Sequence, residues 1–321
     1  MTQMDWHDKR VAIVPCAALG DVTLYLYLAW LFHRAGARVR FVSGTLYPAR
    51  DYFDWLQVES AESVDLLALA AENDLVICYV NALPQDASRL PEILAQANIA
   101  IVTAKKLSSR LGVDGREVRV GEHVFASASR ALCLRSRAGM SMVQWIDEYA
   151  ASVFGLRGEG TVPLRCPTSC ADAHRRVAIF PTTPHDKKNY SQAGFLWLAR
   201  RLRARGWLVE FVGMPREREA LGHAYSGFPV HAFADVRGLM DFLATCAVVI
   251  SNDSGGGHLG SLMGLRSFTI TRKHANFVWR PGFNAHNEVL APLASFKLLG
   301  RYVWSPFIPV WRIPRRLGRA R

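Results

Sequence analysis

"VVISNDSGGGHLGSLMG", from Val248 to Gly264, changes its period in the middle. Val248–Ile250 is a β-branched run of the kind that fills a strand buried on both faces of a parallel sheet. The polar Ser251, Asn252, Asp253 and Ser254 end it, three glycines follow, and after His258 apolar residues resume at helical spacing. A strand that passes into a helix across so short a turn is one half of a βαβ unit. Asp253 and His258 lie at that junction, and open α/β sheets bind their ligands outside the carboxyl ends of the strands.

The same rhythm extends on both sides. Upstream, "RRVAIFPTT" (Arg175–Thr183) reads as a strand entering a loop, and "SQAGFLWLARRLRARG" as an amphipathic helix with Ser191 as N-cap and Gly206 as C-cap. "WLVEFVG" is a strand, "VRGLMDFLATC" a helix and "LRSFTI" the strand after the glycine turn. The first half repeats the alternation: strands in "RVAIVPC", "ARVRFVSG", "DLVICYV" and "IAIVTA", with helices over Val22–Arg34 and "VDLLALAAEN". Strands alternating with helices predict an α/β fold of two doubly wound, parallel-sheet, Rossmann-like domains. The first takes residues 1–160 and the second 177–300. Gly155–Arg176 is rich in Gly, Pro and Ser, which is linker composition, and within it 161–176 is the linker; 301–321 is a basic aromatic tail. Such domains are expected to face each other across a cleft.

Composition narrows the partners. The 321 residues are 50% apolar and 21% charged, which is globular rather than disordered. No apolar run near the N-terminus reaches the ~20 residues of a spanning helix, and Met1–Arg10 precedes no signal-peptide pattern. The six cysteines are scattered, with only Cys166 and Cys170 close, so reduced thiols and no metal site are expected. The net charge is +12, and the tail "RYVWSPFIPVWRIPRRLGRAR" carries six arginines and no acid among aromatic and aliphatic residues. It reads either as a solvated basic tail or as a contact with an anionic membrane surface. No helix-turn-helix, zinc-finger or RNP pattern accompanies the charge, so nucleic acid ranks lower as a partner.

Three clusters carry candidate chemistry. In the glycine stretch, Asp253, Ser254, Gly255 and His258 surround a helix start whose N–H groups suit an anion. The alternative is a tight turn in which Asp253 caps the helix. In "PTTPHDKKNY", Thr182, Thr183, Lys187 and Lys188 put hydroxyls and ammonium groups just before a helix, a cradle suited to a diphosphate. In "PCAALGDVTLYL", Asp21 after Gly20 is either an N-cap or a general base for a substrate hydroxyl. The P-loop pattern is absent, and the glycine stretch is not the dinucleotide fingerprint.

Taken together, "ALGD", "PTTPHDKK", "VGMPRERE" and "SNDSGGGHL", in that order, resemble the bacterial lipopolysaccharide heptosyltransferases of glycosyltransferase family 9. The resemblance covers most of the chain and implies the GT-B architecture and a metal-independent, inverting transfer of a sugar, heptose from ADP-heptose. The acceptor it implies is a hydroxyl of a lipopolysaccharide-core or related lipid-linked glycan. It further implies that Asp21 is the base, with Gly20 in the acceptor-side loop. Thr182, Thr183 and Lys187, or its neighbour Lys188, contact the donor diphosphate. Glu217, or Glu219, reaches the ribose, and Asp253, Ser254, Gly255 and His258 line the sugar and phosphate. No cofactor is expected beyond the nucleotide-sugar substrate. The place implied is the cytoplasm, peripheral at the inner face of the inner membrane. Two other readings stay open: a sugar-nucleotide 2-epimerase on the same fold, and a non-catalytic nucleotide-binding scaffold.

Overall fold

The structure, a computed structural model, describes residues 4–60, 64–84, 88–104, 111–133, 139–165 and 175–320. Cys166, Cys170 and most of the 161–176 linker lie outside the described residues. The chain divides into two compact units, Met1–Arg165 and Cys166–Arg321.

In the first unit the strands are β1 (Arg10–Val14), β2 (Arg38–Val42), β3 (Gln57–Glu59), β4 (Leu75–Tyr79), β5 (Ile99–Thr103), β6 (Val118–Val120), β7 (His123–Phe125) and β8 (Arg130–Ala131). Six of them form a parallel sheet in the order β3-β2-β1-β4-β5-β8, and β6 and β7 pair as a separate antiparallel hairpin. The helices are α1 (Leu19–Arg34), α2 (Leu66–Glu72), α3 (Leu90–Ala95) and α4 (Met142–Phe154). Ala12, Ile13, Val76, Ile77, Ile99 and Ile101 are fully buried, because helices cover both faces of the sheet. α1 begins three residues before the expected Val22, so Gly20 and Asp21 sit inside its first turn. α4 starts at a capping box, with Ser141 Oγ accepting from Gln144 N and the Gln144 amide oxygen accepting from Ser141 N.

The chain after α4 stays on this unit. The Tyr27 hydroxyl donates to Asp147 and accepts from Gly160 N at 2.8 Å. Trp55 Nε1 donates to Pro163 O at 3.0 Å, and Arg165 N donates to Tyr52 O at 2.9 Å.

In the second unit β9 (Arg176–Phe180), β10 (Leu208–Gly213), β11 (Val230–Ala232), β12 (Val248–Asn252), β13 (Arg266–Ile270) and β14 (Asn287–Leu290) make another six-stranded sheet. Its order is β11-β10-β9-β12-β13-β14, and every pairing is parallel. The helices are α5 (Gln192–Arg203), α6 (Arg218–Ala224), α7 (Val236–Leu243), α8 (Gly255–Leu262) and α9 (Arg312–Leu317). Ser191 caps α5 as expected, accepting from Gly194 N at 3.1 Å. α5 closes at Ala204, and Gly206 takes its left-handed conformation (φ 88°) two residues later. A hairpin of β15 (Phe296–Leu298) and β16 (Arg301–Val303) follows the sheet.

Residues 301–320 are not a free tail. Trp304, Ile308, Val310 and Ile313 are buried in one cluster with Tyr190, Phe195 and Trp207. Trp207 Nε1 also donates to Gly318 O at 3.1 Å. Trp304, Ile308, Val310 and Ile313 face inward, as burial of that much apolar surface favours, and leave Arg312, Arg315, Arg316 and Arg319 exposed.

Candidate functional site

In the second sheet the chain runs outward from β9 in one direction through β10 to β11, and in the other through β12 to β14. β9 and β12 are therefore the pair at which the strand order reverses, where open α/β sheets leave a crevice at their carboxyl ends. Pro181–Asn189 follows β9 there, and Asp253–Ser254 follows β12. Asn252, fully buried, ties the two together: its amide donates to Pro181 O at 2.6 Å, and its Oδ1 accepts from Tyr190 N at 3.0 Å.

Asp253 is the electrostatic centre of this end. Its Oδ2 lies 3.2 Å from Lys188 Nζ and 3.4 Å from Lys273 Nζ, with the carboxylate 9% exposed and the lysines 30% and 37%. Two ammonium groups on one carboxylate leave a net positive charge, half open to solvent, and a diphosphate complements it. The alternative, a cap of α8 by Asp253, is not formed. Ser254 is the N-cap residue of α8, and it makes no side-chain cap bond either. The first-turn N–H groups of Gly255, Gly256 and Gly257 therefore have no intrahelical acceptor or side-chain cap.

Between the two lysine candidates the geometry separates cleanly: Lys188 reaches Asp253, while Lys187 is exposed on the short helical turn Asp186–Lys188. Lys273, three residues past the end of β13, has no place in the sequence reading. The signal was available, since the carboxyl-end rule that selects Asp253 applies equally to "FTITRK" one strand over.

The glycines have a second reason to be glycines. A Cβ on Gly256 would sit 2.6 Å from the Phe180 ring, and one on Gly257 would sit 2.4 Å from Ser251 Oγ. Close packing of α8 on β9 and β12 requires both.

His258, 4% exposed, lies one turn into α8. Its Nε2 is 3.0 Å from Trp279 O, and a carbonyl only accepts, so Nε2 carries the proton. Burial lowers its pKa, which favours the neutral ring. The buried Nδ1, which has no hydrogen-bond partner, then presents a lone pair. This tautomer leaves Nδ1 no proton to donate to a phosphate oxygen; the ring is set to accept from a hydroxyl. Ser254 Oγ is likewise buried without a partner.

Next along the crevice, Glu217 Oε2 accepts from Thr182 Oγ1 at 3.1 Å and from Met214 N at 2.8 Å. Glu217 is half-buried against the end of β9, whereas Glu219 is exposed in the first turn of α6. Thr183 is occupied locally: its hydroxyl donates to Asn189 Oδ1 at 2.9 Å or His185 O at 3.0 Å, and its N–H to Asn189 Oδ1 at 2.8 Å. That makes Thr183 a brace of the loop and leaves Thr182 closer to the Glu217 side.

In the first unit, Asp21 follows the central β1 at the same kind of strand end. The N-cap of α1 is Ala18, so Asp21 does not cap the helix; it is the third residue of its first turn. Burial raises its carboxyl pKa, partly offset by a hydrogen bond from the Cys16 thiol. Burial first, and the Asp21 charge in smaller part, raise the pKa of the Tyr25 and Tyr79 phenols. Tyr25 Oη is buried without a partner. A carboxylate with a raised pKa beside unsatisfied polar groups is a stronger proton acceptor than a solvated one. Among the described residues, no group of three or more His, Cys, Asp or Glu side chains gathers as a metal ion would require.

Residues 160–295 match the family model of glycosyltransferase family 9 (heptosyltransferase). In three dimensions the chain is similar to a glycosyl transferase family 9 protein of Veillonella parvula, at 15% identity over 99% of each chain with a TM-score of 0.68. It is similar to the E. coli heptosyltransferase WaaC with ADP, at 15% identity over 96% of this chain and 98% of that one, TM-score 0.64. The E. coli ADP-heptose LPS heptosyltransferase II gives 14% identity over 96% and 97%, TM-score 0.64. At such identities these likenesses speak for the fold, the pair of Rossmann-like units of GT-B heptosyltransferases. No curated protein sequence matches the chain closely enough to stand as a relative. Over residues 160–295, nearly all of them in its second unit, the chain is therefore similar to glycosyltransferase family 9 (heptosyltransferase), and its fold is that of the heptosyltransferases.

Proposed function

We propose that the protein is an inverting glycosyltransferase that moves a heptose from ADP-heptose to a hydroxyl of a lipid-linked saccharide of the lipopolysaccharide-core type. The observation that carries this reading is the Lys188–Asp253–Lys273 cluster beside the uncapped start of α8, at the strand-order reversal of the second sheet, within the stretch similar to family 9. WaaC, similar in fold, has been seen with ADP, which is the nucleotide this reading assigns to the donor.

In this mechanism the acceptor oxygen attacks the anomeric carbon, and the bond from that carbon to the β-phosphate oxygen breaks with its electron pair staying on the phosphate. Negative charge grows on the leaving diphosphate. Lys188, Lys273 and the N–H groups of Gly255–Gly257 are oriented in advance to stabilise it, which is electrostatic preorganisation. The two ammonium groups supply charge that a metal ion supplies in other transferases. Asp21 takes the proton of the attacking hydroxyl. His258 Nδ1 accepts from a sugar hydroxyl, and Glu217 from the ribose. The reaction is placed at the cytoplasmic face of an anionic membrane, where a lipid-linked acceptor lies.

Calorimetric titration with ADP-heptose tests the donor half. Lys188→Ala and Lys273→Ala should each weaken binding by about 1.5–3 kcal/mol, the worth of a hydrogen bond to a charged group. Lys187→Ala should change it by less than about 0.5 kcal/mol, as exposed substitutions do. UDP- and GDP-sugars should bind more weakly than ADP-heptose. Equal effects at all three lysines, or a preference for another base, would remove this donor assignment.

A further inference from the structure

The β15–β16 hairpin is built against the ordinary rules of a water-facing surface. All eight residues from Leu293 to Gly300 are exposed. Among them Leu293 is 62%, Phe296 47%, Leu298 56% and Leu299 95% exposed, and Tyr302 across the hairpin is 43%. Single exposed apolar residues are common, but a contiguous set on one protruding element marks an interaction surface.

The turn is also strained. Leu299 at φ 47° and Gly300 at φ 77° form a two-residue connection with both central residues left-handed. That turn favours Asn-Gly, and a leucine is costly there in backbone terms as well as in hydration. Neither the fold of the turn nor contact with water accounts for a leucine at the tip.

The surroundings specify the partner's charge. From Ala291 to Arg321 the sequence has seven basic residues and no acid. Trp304, at the root of the hairpin, packs on Tyr190 just before α5. α9 lies against α5, and Ala320 N donates to Arg205 O at 3.0 Å. These helices expose Arg200, Arg201, Arg312 and Arg315, with Trp197 and Trp311 exposed among them. A second copy of the chain would bring the same positive charge to this surface and be repelled. An anionic lipid surface meets both demands, taking apolar side chains below the headgroups and arginines among them.

We propose that the β15–β16 hairpin inserts into anionic membrane, with Leu298 and Leu299 entering the acyl boundary and the arginines of α5 and α9 meeting the headgroups. Membrane docking by this element rests on the lipid-linked acceptor proposed above, yet lipid binding and donor binding are read separately in its test.

The experiment is co-sedimentation of the full chain with phosphatidylglycerol–phosphatidylethanolamine vesicles and with phosphatidylcholine vesicles, for wild type and Leu299→Asn. Asparagine accepts the left-handed backbone, so the variant should melt at the same temperature or higher and bind ADP-heptose as wild type does. Its partition onto the anionic vesicles should fall about tenfold, the worth of one leucine side chain partly removed from water. Wild-type binding should weaken in high salt without vanishing, because the apolar part is not screened. Unchanged vesicle binding by Leu299→Asn overturns the proposal. So does binding that disappears entirely with salt, or a wild-type dimer that Leu299→Asn converts to a monomer with lipid binding intact. If ADP-heptose fails to bind while the vesicle result holds, the donor assignment fails and the hairpin assignment stands.

Discussion

Asp21 shows how a single carboxylate is made basic. It sits in the first turn of α1 without capping it, and burial raises its pKa while only a thiol hydrogen bond opposes. The folded chain therefore holds the proton at pH values where the unfolded chain has released it. Stability contributed by this group falls as pH rises from the ordinary aspartate value through the raised one, and stays low above it. Asp21→Asn removes that loss, so the variant should melt no lower than wild type at neutral pH. Its turnover should drop by about 10²–10⁴, the usual worth of a general base, with donor affinity unchanged. Melting curves, steady-state rates and a donor titration on the same preparation check this. A stable variant with full activity would remove Asp21 from the chemistry, and an unstable one would make it a structural residue.

At the scale of elements, α8 is fixed by what it lies against. Gly256→Ala places a methyl group within the Phe180 ring contact, and overpacking of that kind costs about 1–3 kcal/mol. Urea denaturation should show it as a lower midpoint, and an unchanged midpoint would mean that α8 yields without cost. The parallel strands were legible because burial on both faces leaves runs such as Val248–Ile250 and Ile99–Val102 with almost no polar interruption. β3 and β8, three and two residues long, carry too little pattern to read. α4 goes unread although Ser141 and Gln144 spell its capping box, a local signal that does show in sequence. Of the site, Asp253, Thr182 and Asp21 follow from their places at strand ends. The choice of Lys188 over Lys187 turns on which side chain a short helical turn aims at Asp253. The lone pair on His258 depends on a carbonyl 21 residues away. Such facts exist only after the chain has folded.

At the scale of the whole molecule, a repeated design carries the account: two parallel sheets, each with a charged residue where the chain leaves a central strand. The last residues complete the second unit. A chain ending at Trp311 would lose fully buried Ile313 and the Trp207–Gly318 hydrogen bond. It should lose about 2–5 kcal/mol of stability, as large core deletions do. A truncated chain that melts with wild type would return residues 312–321 to the status of a solvated tail. Among the described residues no helix is long and apolar enough to cross a membrane. The reaction itself is tested most directly by following ADP release from ADP-heptose, by mass spectrometry, with and without a lipid-linked saccharide acceptor. Release only when acceptor is present, matched by one added heptosyl group on the acceptor, is the predicted result. ADP released or the sugar isomerised with no acceptor present, or donor bound and never consumed, would contradict it.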